Sequence, residues 1–526
     1  MVPMRVVVAE TIADAGLEIL RETLDVDVAV GVDRDELKRR LADAEALIVR
    51  SGTKVDSELI ESASSLRVIG RAGIGVDNID VEAATKAGVL VVNAPRSNSI
   101  SVAELTIGLL VALARGIPRV DSELRSGSWK RRKGAELYGK TLGVAGLGRI
   151  GTLVAERASA FGMKVIGYDP YVAPHRAEQA GVELIADLRE LCARADIVTV
   201  HLPKTRETLG LFDAAMFASM KDGARIVNTS RGGIVDEAAL VDAIKSGKIA
   251  GAALDVYENE PITGGPLVEL PQVVLTPHIA ASTNEAQERA GIDVAEAVSA
   301  ALGGDLVLSA VNVNLGQDVS DEVRRFLAIS EHLGRLFVAL AEGVPGVLTI
   351  HAYGALADRE LRPLILSVLK GVLADSSDEP ISYVNVEAIA ADRGVTVEVR
   401  PSSEARGYRS LLQVAGSVSG RDVSVAGTVG RVPLIAGVFG YRIELPLSDH
   451  LLIINNRDMP GMIGQVGSFL GGLNVNIADM VLGRSDLHEG MALMALTLDR
   501  GLEEPEMEQL RTITGVEEAV YIHLET

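Results

Sequence analysis

The stretch Lys140-Thr-Leu-Gly-Val-Ala-Gly146-Leu-Gly148-Arg149-Ile150-Gly151 runs apolar, turns through three glycines and continues with helix-forming residues. Read as strand, turn and helix, it predicts a dinucleotide-binding turn. Gly146 permits the tight turn, Gly148 lets the backbone approach a pyrophosphate, and Gly151 lets helix and strand pack closely, so that free N–H groups at the helix start face the phosphates. Lys164-Val-Ile-Gly-Tyr168 reads as the next strand, and Asp169 ends it, near the roughly twenty-residue offset of a ribose-binding acid. An aspartate there accepts from both ribose hydroxyls and repels a 2′-phosphate, which favours NAD over NADP. The plainer alternative is a glycine-rich turn with a capping aspartate, and the coincidence of strand, glycines and acid argues against it.

Around this turn lie 526 residues, too many for one core; about 150 residues per domain suggests three or four domains. The formal charge of −21 argues against nucleic acid or an anionic membrane as partner, since the overall field repels both. Any anion site must therefore be local. The single cysteine, Cys192, excludes an intramolecular disulfide and is compatible with a reducing cytoplasm. Met1-Val-Pro-Met-Arg-Val-Val-Val leads into an apparent strand without the basic and long apolar regions of a signal peptide. Residues Ser101 to Ile117 are strongly apolar, but Glu104 and Arg115 interrupt them and the run is short for a membrane span, so a buried helix is expected.

From Met4 to Asn93, β-branched runs (Arg5 to Val8, Ala46 to Val49, Arg67 to Gly70, Val89 to Val92) alternate with helical stretches, the pattern of a parallel sheet covered by helices. The strand ends supply three loops: Arg50-Ser51-Gly52-Thr53, Arg71-Ala72-Gly73-Ile74-Gly75 and Asn93-Ala-Pro-Arg96-Ser-Asn98. Ligands of open α/β sheets sit at the carboxyl ends of strands, so these loops are expected to face a cleft, where Arg50 and Arg71 suit an anionic substrate. Each arginine alone could equally be a surface charge. The basic loop Ser128-Trp129-Lys130-Arg131-Arg132-Lys133 is either a solvated turn or a reach toward a phosphate or a neighbouring subunit.

Beyond the glycine turn, strands are expected at Ala195 to His201, Ala224 to Asn228, Ala250 to Leu254 and Gln272 to Thr276. Polar clusters at successive strand ends converge on one rim, the default active-site edge. Hydride transfer to a nicotinamide needs geometry, one group to take a hydroxyl proton and charge to hold the substrate. His278 is the candidate base, Glu260 would fix its ring and favour the imidazolium, and Arg231 offers a planar fork for a carboxylate. Singly each has a plainer reading: a cap for His278, a turn for Glu260, an ion pair with Asp236 for Arg231.

Asn228-Thr-Ser230-Arg231-Gly-Gly-Ile-Val-Asp236, Leu254-Asp255-Val-Tyr-Glu-Asn-Glu260-Pro261 and Thr276-Pro-His278-Ile-Ala-Ala281, with the glycine turn, closely resemble the signature motifs of D-isomer-specific 2-hydroxyacid dehydrogenases. The resemblance spans roughly residues 4 to 314. It implies that Arg231 binds the substrate carboxylate, that Glu260 orients His278, the acid/base, and that Ser230 and Asp255 lie beside the cofactor, NAD, with Gly146, Gly148, Arg149, Ile150, Gly151 and Asp169. Arg50, Ser51, Arg71, Gly73 and Asn98 become substrate-binding candidates. It also implies an α/β fold in which a Rossmann-type NAD-binding domain, residues 98–282, is inserted in a flavodoxin-like substrate domain, residues 1–97 and 283–314.

After Asn314 the pattern changes to an α+β unit, residues 315–447, without a catalytic constellation. Residues 448–526 read β-α-β-β-α-β, a ferredoxin-like order. Asn456-Arg-Asp458-Met-Pro460-Gly461 and Asn474-Val-Asn476-Ile-Ala resemble an ACT regulatory domain. The order dehydrogenase, intervening domain, ACT domain resembles the long members of the family that act on 3-phospho-D-glycerate. That implies L-serine as feedback effector held near Asp458 and Asn476, side-by-side ACT pairing and a homotetramer, with no metal expected. Asn456 departs from the aromatic residue that close relatives often carry. The rival readings are a glyoxylate or hydroxypyruvate reductase and a non-catalytic NAD-sensing protein.

Overall fold

In a computed structural model the described residues are 3–315, 319–374, 381–404, 406–484 and 490–524. Met1 and Val2, at which the expected leader-free start begins, lie outside them.

The first sheet has five parallel strands in the order Asp25–Val28, Arg5–Val8, Ala46–Val49, Val68–Arg71, Leu90–Asn93. This is the 2-1-3-4-5 order of flavodoxin-like sheets. Apart from the edge strand Asp25–Val28, its strands are almost continuously apolar because helices cover both faces. One covering helix, Asn284–Leu302, returns from far along the chain and buries Ala290, Val294 and Val298 in the core that holds Ile48 and Val92. Gly70 makes the fit possible, since a Cβ there would lie 2.7 and 2.8 Å from methyls of Val298 and Val294. The returning chain is stitched to the edge strand by the N–H of Val311 to the carbonyl of Val91 (2.7 Å) and the N–H of Val91 to Asn312 Oδ1 (2.9 Å).

The second sheet has seven parallel strands in the order Val273–Leu275, Ile249–Leu254, Ala224–Asn228, Ile197–Val200, Thr141–Ala145, Lys164–Tyr168, Glu183–Leu184. Counted within the sheet this is 3-2-1-4-5-6 with a seventh strand added, and the order reverses at Thr141–Ala145, the strand that feeds the glycine turn. The expected apolar helix is Ser99–Arg115, buried along Val102, Ala103, Leu109, Leu110 and Leu113. It ends at Gly116 in the left-handed conformation (φ 60°), and a second helix, Ile117–Arg125, leaves at 63°. Among the described residues no single helix is long and apolar enough to cross a membrane. The two crossings between the sheets are tied together by Ser101 Oγ to Thr283 Oγ1 (2.8 Å) and by Arg289 Nε donating to the carbonyl of Ser97 (2.9 Å).

In the tail, helices Asp321–Ala341 and Arg362–Leu373 cross closely at Gly334 and Gly371 and cover a six-stranded sheet in the order Thr396–Ser402, Val347–Gly354, Ser410–Val418, Arg421–Val429, Pro433–Val438, Tyr441–Pro446. Lys370 joins this unit to the end of the returning helix, donating to the carbonyl of Gly304 (2.6 Å) and pairing with Glu331 (2.8 Å). The last sheet, Ile477–Arg484, Met491–Leu498, His450–Arg457, Val516–His523, is antiparallel and backed by Met462–Gly472 and Glu504–Arg511, the ferredoxin-like arrangement expected.

Candidate active site

The glycine turn closes as its spacing predicts. Gly146 sits at φ 100°, and a Cβ there would be 2.5 Å from the carbonyl oxygen of His201. A Cβ on Gly151 would be 1.9 Å from the carbonyl oxygen of Gly146, so helix Arg149–Ala160 rests directly on the turn. Gly148 is the opposite case: a Cβ there meets nothing within 4 Å. That open space at a helix start is a cradle a side chain would fill and a pyrophosphate fits. Asp169 Oδ2 accepts from the N–H of Leu147 (2.9 Å) and Oδ1 from that of Tyr171 (2.9 Å), which fixes the carboxylate beside the turn and leaves each oxygen a lone pair. Arg149 crosses toward the first sheet and donates to the carbonyl of Pro95 (3.1 Å).

A cleft of about 890 Å³ opens between the two sheets. Arg50, Ser51, Arg71, Gly73, Asn98, Glu260 and His278 all line it. His278 Nδ1 is 2.7 Å from Glu260 Oε2, while Glu260 Oε1 accepts from the N–H of Tyr257 (3.0 Å), so the carboxylate is held at both oxygens. The Tyr257 hydroxyl donates to the carbonyl of Thr276 (2.8 Å) and ties the two loops together. Asp255 has 0% exposure. Its Oδ1 accepts from Thr276 Oγ1 (2.6 Å) and the N–H of Ile279 (2.9 Å), and its Oδ2 from the N–H of Ala280 (2.9 Å). These bonds clamp the turn that carries His278, whose φ of 53° is uncommon for a residue with a Cβ. Asp255, expected from sequence beside the cofactor, is thus placed here behind the His278 turn. Ser230 Oγ bonds Asn228 Oδ1 (2.8 Å) at the head of the neighbouring strand.

Arg231 does not itself line this cleft and reaches it through Asp77, which does, Nε to Oδ2 3.4 Å. The pairing with Asp236 considered from sequence does not form, because Asp236 caps helix Glu237–Lys245 and accepts from the N–H of Ala239 (2.9 Å). Arg71 reaches the cleft over Gly73: its Nη1 lies 1.8 Å from where a Gly73 Cβ would be. Burial, and then the charge of Arg231, hold the Arg71 guanidinium below its ordinary value, and its Nε has no hydrogen-bond partner. Asn98 Oδ1 is likewise buried and unpartnered. Three cationic groups with Asp77 as a counter-charge and buried polar atoms in reserve make a site for an anion.

The basic loop does not line this cleft. Trp129 is 80% exposed, and Arg132 is clamped on Glu123 (2.6 Å), whose carboxyl it holds down to about 2. In the last unit Asp458 pairs with Arg484 (2.8 Å), the Asn476 N–H donates to Asp499 (2.9 Å), and Asn456 is buried with its Oδ1 unpartnered.

Three family models match in chain order: the NAD-binding domain of D-isomer-specific 2-hydroxyacid dehydrogenases over residues 107–280, the D-3-phosphoglycerate dehydrogenase intervening domain over 322–433, and the ACT domain over 450–515. Over 501 residues the chain is 45% identical to D-3-phosphoglycerate dehydrogenase of Mycobacterium leprae, covering 94% of each. The chain belongs to the D-3-phosphoglycerate dehydrogenase family. The enzyme of that name from Methanocaldococcus jannaschii is 42% identical over 99% of this chain and all of its own. Among solved structures, a glyoxylate reductase from Paecilomyes thermophila (TM-score 0.55, 32% identity) covers 59% of this chain and 99% of its own. TT0316 from Thermus thermophilus (TM-score 0.54, 36% identity) matches 59% of this chain and 100% of its own. The reductase reading from sequence therefore accounts for the dehydrogenase part alone, whereas the D-3-phosphoglycerate dehydrogenases account for the tail as well.

Proposed function

We propose that this chain oxidises 3-phospho-D-glycerate to 3-phosphooxypyruvate with NAD, the first step of L-serine biosynthesis. The observation that carries it is the convergence on one cleft of the Glu260–His278 pair and the Arg50 and Arg71 guanidinium groups, with Arg231 held at the cleft-lining Asp77, in a chain whose three family matches run in the order of that family. Gly146, Gly148, Arg149, Ile150, Gly151 and Asp169 hold the dinucleotide, with Ser230 and Asp255 toward its nicotinamide end. NAD, when bound, supplies the hydride acceptor for C2 of the substrate.

The protein's own part is binding and proton transfer. Arg231 exchanges Asp77 for the substrate carboxylate, aided by the backbone at Gly73, while Arg50, Ser51, Arg71 and Asn98 take the remaining anionic and polar groups. With Nδ1 committed to Glu260, His278 receives the C2 hydroxyl proton on Nε2, and the carboxylate stabilises the imidazolium that forms. In this reading the chain divides at 97/98, 282/283, 314/315 and 447/448, works in the cytoplasm as a homotetramer, and binds L-serine at Asp458 and Asn476 as a feedback inhibitor.

The test is NAD reduction by the full-length protein with 3-phospho-D-glycerate and D-glycerate, and NADH oxidation with hydroxypyruvate, each titrated with L-serine. Turnover confined to the phosphorylated acid and lowered by serine is expected. Equal turnover of the unphosphorylated acids would overturn the substrate, NAD binding without any turnover would favour a sensor, and indifference to serine would remove the effector assignment.

A further inference from the structure

Glu10 closes the first strand and plays no part in any motif of the chain, yet three backbone donors converge on it. Its Oε1 accepts from the N–H of Arg50 (2.9 Å) and Thr53 (2.8 Å), and its Oε2 from the N–H of Gly52 (3.1 Å). Asn78 holds the same loop from its carbonyl side, donating Nδ2 to Arg50 O (2.8 Å) and Thr53 O (2.7 Å). The adjoining Thr11 carbonyl accepts from Arg50 Nη1 (3.4 Å). Two side chains from separate elements thus satisfy the backbone of a loop that has no ladder partner.

Glu10 itself does not line the cleft, whereas Thr11, Arg50, Ser51 and Asn78 do. A carboxylate facing a site built for an anion would repel its ligand. Here the charge sits behind the loop and is engaged by three N–H dipoles. Gly52 allows the approach, since a Cβ there would be 3.1 Å from Oε2. Burial opposes the Glu10 charge, and the N–H groups of Thr53, Arg50 and Gly52 outweigh it, keeping the carboxyl below its ordinary value. The pattern also skips one residue: among the described residues, the Ser51 N–H has no intramolecular acceptor.

We infer that Glu10, with Asn78 opposite, is a positioning residue that sets the 50–53 loop so that the Arg50 guanidinium and the Ser51 N–H meet an anionic group of the substrate. The inference rests on the substrate role given to this loop above. It separates two functions usually sought in one residue: Arg50 supplies charge, and Glu10 supplies the geometry in which that charge is useful.

The experiment compares Glu10→Gln, Asn78→Ala and Arg50→Ala in the full-length protein by initial-rate kinetics and backbone amide exchange. In Glu10→Gln one acceptor oxygen becomes a donor facing an N–H. We expect KM for 3-phospho-D-glycerate to rise about tenfold, with kcat and KM for NAD within about twofold, and the Arg50, Gly52 and Thr53 amides to exchange at least about tenfold faster. Asn78→Ala, which removes the two Nδ2 bonds to the loop from another element without adding charge to the cleft, should give the same split if Glu10→Gln folds poorly. An unchanged KM in Glu10→Gln and Asn78→Ala beside a raised KM in Arg50→Ala overturns the role of Glu10. An unchanged KM in all three overturns the substrate role of the loop itself.

Discussion

Gly148→Ala and Gly151→Ala lie three positions apart in one turn, and they should fail in opposite ways. Gly148 has φ −68° and ψ −166°, a conformation open to any residue, and its missing Cβ meets nothing within 4 Å. A methyl there therefore costs the empty protein no steric energy. The unfolded-state gain of about 0.4–1 kcal/mol for Gly→Ala roughly offsets the poorer capping preference of alanine, so the net change in stability is close to zero. The space it fills is the one the proposed function gives to the pyrophosphate, and overpacking of this kind costs about 1–3 kcal/mol, or roughly a 5–150-fold rise in the Kd for NAD. At Gly151 the added carbon lies 1.9 Å from a backbone oxygen of Gly146, which cannot retreat without opening the turn. There the same 1–3 kcal/mol, about the cost of an overpacked core, falls on the fold itself before any ligand is added. Urea unfolding of the ligand-free variants and a fluorescence titration with NADH separate the two effects. Wild-type NADH affinity in Gly148→Ala, or wild-type stability in Gly151→Ala, would refute the reasoning.

Glu260→Gln, which removes the carboxylate 2.7 Å from His278 Nδ1, should lower kcat by roughly a hundredfold with KM for NAD unchanged, and steady-state kinetics with a kcat near the parent would deny the pair its role. Asp255→Asn replaces one of two buried acceptor oxygens with a donor facing the His278 turn, a loss of about 1.5–3 kcal/mol for a charge-assisted bond. A fall in kcat of at least about tenfold is expected, and equal activity would show that the turn holds its shape unaided. His201, hydrogen-bonded to Thr199 Oγ1 at 2.9 Å, is driven down to about 3 by burial. Between its ordinary value and about 3 the unfolded chain binds a proton that the folded one does not, so stability falls on acidification by up to about 1.4 kcal/mol per pH unit. His201→Gln should flatten the urea midpoint between pH 6.5 and 4.5, and an unaltered slope would mean another group carries the acid sensitivity.

The glycine turn, the parallel strands around it and the Glu260–His278 pair were legible because each is a local pattern: a period, a spacing, or a polar cluster where an apolar run stops. The elements that escaped lack such a pattern. Asp25–Val28 is an edge strand reading Asp-Val-Asp-Val, half of it charged, and Pro433–Val438 opens with a residue that suggests a turn. The apolar run Ser101 to Ile117 was legible as one buried helix, Ser99–Arg115, but not the second helix, Ile117–Arg125, which starts anew where the left-handed Gly116 ends the first. In the site, Arg231 was recognised but its partner was not, since Asp77 arrives from the other sheet and only the folded chain brings the two together. Glu10 had no signal at all: one acid after a strand is common, and its meaning lies in three N–H groups that the sequence does not reveal.

The helix Asn284–Leu302 and the stitch at Val311 and Asn312 complete a sheet whose strands end at Asn93. On the ribosome these parts are far apart in time. At roughly 5–20 residues per second, the stretch between them takes about 10–40 s to make. Throughout that interval Ile48, Gly70 and Val92 have no Val294 or Val298 to cover them, whereas the seven-stranded unit that opens at the glycine turn has its last strand, Val273–Leu275, before the covering helix begins at Asn284. The order of synthesis thus favours the nucleotide-binding half as the first to fold, and leaves the older sequence waiting for the younger to cover it.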